Sequence, residues 1–233
     1  MVAALAAPVR PVSGGRAWTW RWRDPTPAHP WYWCRIYHVS GHTSDGAAHR
    51  TFGPLYRLDH HIPTTSGAAR NCPDDRSILY VAGTLATAFG EVFGDLRAAA
   101  VCPNHRVALV KPTSSITVLD LRGEGAAMRI GALPSLATGD YPRVRTQEWA
   151  RAIFEDQPVA RREVRGVYYH AAQSNGRALA LWNTDDHVEV VSAADGRAQD
   201  FALNSASMWP RVVEAAVSLG MQVDLVERCP RCR

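Results

Sequence analysis

Residues 77–95, SILYVAGTLATAFGEVFGD, constrain the fold more than any other stretch. Five residues of β character, Ile78 to Ala82, stop at Gly83, and a helical pattern starts at Thr84. At the helical period Leu85, Ala88, Phe89, Val92 and Phe93 share one face, while Thr84, Thr87 and Glu91 fall on another. Thr84 has the side chain of an N-cap. A strand and helix that hand Tyr80 and Glu91 to one place would suit an active site. On spacing alone, a solvated polar face with a capping threonine is the better reading of Thr84, Thr87 and Glu91.

Composition narrows the class. The 233 residues are enough to bury a real core, and 46% hydrophobic with 21% charged residues is ordinary for a globular chain. The net charge is +4, yet the 26 basic residues include a single lysine, Lys111, and form no basic block. A nucleic-acid partner is therefore not expected. No apolar run reaches the roughly 18 residues a membrane span needs, and MVAALAAPVR is too short for a signal peptide and has no basic start. It reads as a disordered tail. Five cysteines cannot all pair, so reduced thiols and a cytoplasmic location are the expectation.

Along the chain, Trp18, Trp20 and Trp22 alternate with polar residues, as a short strand or as an aromatic arm folded onto the domain. Residues 31–39 read as a strand, 40–51 as a loop and 62–76 as turn-rich. Strands are expected at 106–111 and 116–121, joined as a hairpin, and at 166–170, 177–182 and 188–192. An amphipathic helix covers 146–155. A last helix has Pro210 near its start and Gly220 as its stop, with a strand at 221–226 after it. The expectation is one α+β domain of short mixed strands over 31–227, with a flexible Trp/Pro/Arg-rich arm over 1–30 and a tail over 228–233.

Several residues invite a chemical reading. Arg35 lies inside a hydrophobic strand and Arg57 follows a Gly-Pro turn; each fits a partner for a buried acid, and together they fit a diphosphate grip. His38, His42, His60 and His61 lack the convergent spacing of a metal site on strand and loop. Cys229-Pro230-Arg231-Cys232 is half of a zinc knuckle, but Cys34, Cys72 and Cys102 are isolated in sequence, so no metal is expected. The chain has no GxSxG, P-loop or post-strand GxGxxG, which argues against hydrolase, NTPase and Rossmann readings.

Taken in order, the motifs resemble the RES domain family, named for Arg, Glu and Ser. Its pattern has an early strand arginine, a second arginine in a glycine-containing loop, and a strand-to-helix motif of the type LYLA-x4-TA-x-x-E. Here these stand as Arg35 in CRIYHV, Arg57 in FGPLYRLD, and Tyr80, Thr87, Ala88 and Glu91. Arg70 in ARN is a second candidate for the loop arginine. LATGDY at 136–141, Gln147 to Ala150 of the QxWA helix, Gly166 to Tyr169 of the GhhY strand and Ala178 to Trp182 complete the match, over roughly residues 31–226. The family serine just after the GhhY tyrosine is not matched: Ala171 stands there, and Ser174 is nearby but displaced.

The resemblance implies a fold like that of ADP-ribosyltransferases and diphtheria toxin, and chemistry on NAD as substrate, with no metal. It implies a toxin blocked by an Xre-type antitoxin protein. Glu91, Tyr80 and Arg35 are then the catalytic candidates: Glu91 to fix a ribose hydroxyl and steady the ribosyl cation, and Tyr80 to pack on the nicotinamide. Arg35 and Arg57 would hold the pyrophosphate, with Tyr80 and Ser174 completing the binding set. A catalytically silent RES-fold protein that binds a nucleotide or a partner is the alternative.

Overall fold

The computed structural model describes residues 5–24, 32–40, 43–138 and 142–232. The first half of the chain forms β1 (Ala17–Trp20), β2 (Trp33–His38), β3 (Phe52–Gly53), β4 (Arg70–Asn71), β5 (Ile78–Ala82), α1 (Leu85–Phe93), β6 (Ala98–Val101), β7 (His105–Pro112) and β8 (Ile116–Asp120). The second half forms α2 (Ala126–Arg129), α3 (Ser135–Thr138), α4 (Arg143–Glu155), β9 (Gly166–His170), β10 (Arg177–Trp182), β11 (Val188–Val190), β12 (Asp200–Ala202), α5 (Trp209–Ser218) and β13 (Gln222–Leu225). Thr84 caps α1 as its sequence suggests: the Oγ1 atom accepts the Thr87 N–H at 3.1 Å. Pro210 sits in the first turn of α5, and Gly220 follows that helix at a φ of +62°.

Among the described residues, nine strands form one sheet in the order β1-β8-β9-β10-β5-β2-β7-β11, with β12 also on β7. All neighbours are antiparallel except β8 and β9. The sheet is curled. Residues 113–115 link β7 to β8, a path of about 14 Å at full extension. The two strands are five places apart in the order, which would separate them by roughly 24 Å in a flat sheet. The inner face of the curl carries strand residues: Trp20, Trp33, Tyr37, Leu79, Val81, Ala108, Val110, Val118, Tyr168 and Leu179 form one buried cluster.

Helices cover the outer face in two groups. α1 and α5 pack on Cys34, Ile36, Ala82 and Val107. Residues of 127–137 and 149–154 pack on Ile78, Val167, Tyr169, Ala178, Ala180 and Trp182. β5 spans both groups: alternation puts Ile78, Tyr80 and Ala82 on the outer face, and their places along the strand set Ile78 and Tyr80 under one group and Ala82 under the other.

Several expectations need correction. β7 and β8 are not a hairpin: one edge of β7 is taken by β2 and the other by β11 and β12, so β8 pairs with β1 and β9 instead. The described part of the N-terminal arm is built into the domain. Leu5 and Val12 are buried in the outer core, the Trp149 indole donates to Ala6 C=O, and β1 is an edge strand of the sheet. The reading of residues 1–10 as a disordered tail fails for residues 5–10 for that reason. Cys102 is distant from Cys229 and Cys232 in sequence but not in space, since β13 runs parallel to β6 and ends beside it. His42 and residues 139–141 of the LATGDY segment lie outside the described residues.

Gly166 shows why the GhhY strand begins with glycine. Its φ is +144°, and a Cβ there would lie 2.2 Å from the Ala180 carbonyl oxygen of the neighbouring strand. Gly166→Ala combines backbone strain with a clash against main chain, so it is expected to cost about 3 kcal/mol in a urea titration. An unchanged midpoint would contradict this account of the β9–β10 contact.

Candidate active site

The site is built around residues 55–59, which the chain grips from every side. Asp59 is fully buried. One carboxylate oxygen, Oδ2, accepts the N–H groups of Leu55 and Tyr56 and pairs with Arg50 Nη2 at 2.6 Å. The other, Oδ1, accepts the Tyr80 hydroxyl at 2.8 Å. Tyr80 in turn accepts the Leu58 N–H at 3.2 Å. The Trp182 indole donates to Leu58 C=O at 3.1 Å, and Gln147 Nε2 donates to Tyr56 C=O at 3.0 Å. A buried carboxylate is tolerated because its lone pairs are taken by four donors, one of them cationic.

This grip sets Arg57 against the end of β9. Its Nη2 donates to Ala137 C=O at 3.1 Å and His170 C=O at 2.9 Å, and its guanidinium carbon lies 4.7 Å from the centre of the Tyr169 ring. Among the described residues, Nη1 is buried with no hydrogen-bond partner. The Tyr169 hydroxyl donates to Glu91 Oε2 at 3.2 Å. Glu91 projects from α1 toward the turn after β9, where the Ala172 main chain lies near its carboxylate. Solvent reaches Glu91 although protein packs closely around its carboxylate. Desolvation pushes its pKa above the ordinary carboxylate value, while the Arg57 charge and the Tyr169 hydroxyl pull it back. Burial, followed by the Glu91 charge, raises Tyr169 well above the usual phenol value, so it remains a donor.

The structure brings Tyr80, Arg57 and Glu91 together, the latter two through Tyr169. It does not bring Arg35 to them. Cys34 pairs with Ala82 and shares its face, which is also the face of Tyr80; Arg35 therefore points to the inner face. Its Nη1 donates to Gly46 and Ala48 C=O, and burial lowers its pKa to about 10. Ser174 lies beside Gly90, one residue from Glu91, and its Oγ accepts the Gly176 N–H at 3.1 Å. Arg70 stands apart, with Nε bound to Ile62 C=O. Tyr56, exposed and edge-on to Tyr80 at 6.0 Å, completes the surface.

Sequence reasoning missed Asp59, Arg50 and the role of Tyr169. Asp59 carried a signal, an acid two residues after the candidate arginine in an otherwise apolar run. Arg50 lies in a polar loop and carried none. No metal-ligating cluster occurs at this site; the one found among the described residues is elsewhere, at His38, Cys102, Cys229 and Cys232.

The histidines behind the site are held neutral. His60 and His61 are fully buried, and desolvation is the first cause lowering the pKa of each; burial also lowers His49, and His105 to about 4. A histidine with a lowered folded pKa binds its proton more readily when unfolded. Its contribution to stability is therefore complete above the unfolded value of about 6.5 and is lost as pH falls below it. The thermal midpoint is expected to fall steadily between about pH 7 and pH 5, and a flat profile would contradict the burial of these rings.

Comparison with known proteins gives one match. No curated protein and no solved structure matches the chain significantly. The family model of the RES domain matches residues 35–204, well over half of the chain, and its span contains the Asp59 grip, Glu91 and Tyr169. The chain belongs to the RES domain family.

Proposed function

We propose that this protein cleaves NAD at the nicotinamide–ribose bond, in the manner of a fold like that of the ADP-ribosyltransferases, and that it is the toxin of a pair whose antitoxin is an Xre-type protein acting in the cytoplasm. The observation that carries the reading is the solvent-reached carboxylate of Glu91, fixed by Tyr169 and neighboured by the Arg57 charge. In NAD the nicotinamide is cationic. When its bond to C1′ breaks, the electron pair neutralises the ring, and positive charge develops on the ribose until a nucleophile (water, phosphate or a protein group) bonds to C1′. A fixed carboxylate at that point stabilises the developing cation and can hold a ribose hydroxyl. The Tyr80 hydroxyl is spent on Asp59, which leaves its ring to pack on nicotinamide. Arg57 supplies positive charge toward the pyrophosphate, with one nitrogen lacking a partner among the described residues.

Arg35 takes a different part in this reading from a pyrophosphate grip. It holds the loop carbonyls of Gly46 and Ala48, and two residues on Arg50 reaches Asp59. It is a positioning residue for the loop. Ser174 stands on the Glu91 side of the site, where its Oγ accepts the Gly176 N–H. A second reading, a catalytically silent nucleotide- or partner-binding protein, is favoured by one observation: Ala171, where the family has serine, is buried and carries no hydroxyl.

Release of free nicotinamide separates the two. The wild type is expected to release it, and Glu91→Gln, which keeps size and shape, to lose about 10²–10³-fold in rate without a change in melting midpoint. Full activity in Glu91→Gln would refute the assignment. NAD binding without release by the wild type would favour the silent reading. Because the folded pKa of Glu91 is raised, its carboxylate is lost at a higher pH than an ordinary glutamate. The acid limb of the kcat/KM profile is therefore expected above the usual carboxylate range.

A further inference from the structure

Three separate parts of the chain place four metal-ligating side chains at one point. His38 is the last residue of β2, Cys102 follows β6 directly, and Cys229 and Cys232 follow β13. The fold brings them together by backbone pairing. β13 runs parallel to β6 with Leu225 beside Val101, and the Val226 N–H continues the ladder to Val101 C=O. That delivers the chain end to Cys102. In the β2–β7 register His38 faces His105, and the 102–105 turn closes through the His105 N–H to Cys102 C=O. That delivers His38 to the same place.

The ligand atoms form a compact tetrahedron. Sγ–Sγ distances are 3.6 Å for Cys102–Cys229, 3.4 Å for Cys102–Cys232 and 3.7 Å for Cys229–Cys232. His38 Nε2 lies 3.2 Å from Cys232 Sγ, and all four atoms lie within 4.8 Å of one another. A zinc ion with Zn–S bonds of about 2.3 Å sets tetrahedral S···S edges at about 3.8 Å. The Cys232 N–H to Cys229 C=O bond of 2.9 Å folds Cys-Pro-Arg-Cys into the tight turn that points both sulfurs one way. Neighbouring groups support the sulfurs: Asn104 Nδ2 donates to Cys232 Sγ at 3.7 Å. His105 Nδ1 accepts the Cys102 N–H, which keeps that ring in a supporting place rather than as a fifth ligand.

We propose that His38, Cys102, Cys229 and Cys232 bind one zinc ion in a closed structural site. Three thiolates and an imidazole match zinc in ligand type, and four protein ligands leave no open position for water or substrate. The sequence-based reading of the Cys229–Cys232 motif as half a knuckle lacked its partners because they are supplied by Cys102 and by a histidine at the end of a strand. Two of the ligands lie beyond residue 204, where the family match ends, so the ion ties this chain's C-terminal strand to the domain. β6 follows α1, and β13 follows α5, so the clamp fixes the helix pair that carries Glu91. The site stands independently of any activity on NAD.

Untagged protein made with zinc in the medium and gel-filtered should carry one zinc per chain by elemental analysis. Replacing it with Co²⁺ should give the visible bands of a tetrahedral ion together with thiolate-to-cobalt charge transfer. Cys229→Ser with Cys232→Ser should lose the metal, while Cys72→Ala keeps it. Chelator should lower the wild-type melting midpoint by several degrees, which reads the site even if the double variant does not fold. Substoichiometric zinc in the wild type, a six-coordinate cobalt spectrum without charge transfer, equal metal loss in Cys72→Ala, or a disulfide among these cysteines would each overturn the proposal.

Discussion

The carboxylate of Asp59 is the interaction on which the arrangement depends. A buried charge survives only when its oxygens are matched, and here two backbone N–H groups, an arginine and a tyrosine hydroxyl do so. Those partners come from the 50s loop and from β5, so satisfying one charge brings two distant segments into register. Trp182 and Gln147 add donors to the same short stretch from β10 and α4. Arg57 is carried on it, and with Arg57 the positive side of the candidate site. Removing the carboxylate would leave Arg50 Nη2, the Tyr80 hydroxyl hydrogen and the Leu55 and Tyr56 N–H groups without the acceptor that now gathers them.

The curl of the sheet decides what can reach that site. Its inner face is filled with aromatic and branched side chains, so a residue sent inward is committed to packing or to closing the barrel-like interior. Its outer face is covered by two helix groups, and Glu91 looks out from the edge of one toward Tyr169, on a strand covered by the other. An acid on a polar helix face is usually no more than solvated. Here the Tyr169 hydroxyl fixes it, the half-buried Arg57 places its charge nearby, and the surrounding protein raises its pKa, which a fully solvated face would not do.

Much of the local structure was legible in the sequence, because it rests on neighbours in the chain. The Thr84 cap, the break at Gly83, the strand at Arg177–Trp182 and the Pro210 and Gly220 boundaries follow from turn chemistry and periodicity. The strand and helix motifs that resemble the family proved legible for another reason: Tyr80, Gln147 and Trp182 all hold the same five-residue segment. What failed depended on pairing across long separations. Nothing local tells β7 that β2, β11 and β12 will take both its edges, so the expected hairpin with β8 does not form. Arg35 read as a ligand-gripping arginine from the family resemblance, and only the register with β5 shows that it points inward. Cys102 looked isolated until a parallel strand brought the chain end to it.

A structure of the protein with a non-cleavable NAD analogue tests the central claim most directly. The account predicts the nicotinamide ribose within hydrogen-bonding reach of Glu91, with the nicotinamide ring against Tyr80 and the pyrophosphate toward Arg57. An analogue bound on the inner face beside Arg35, or away from Glu91 altogether, would contradict it.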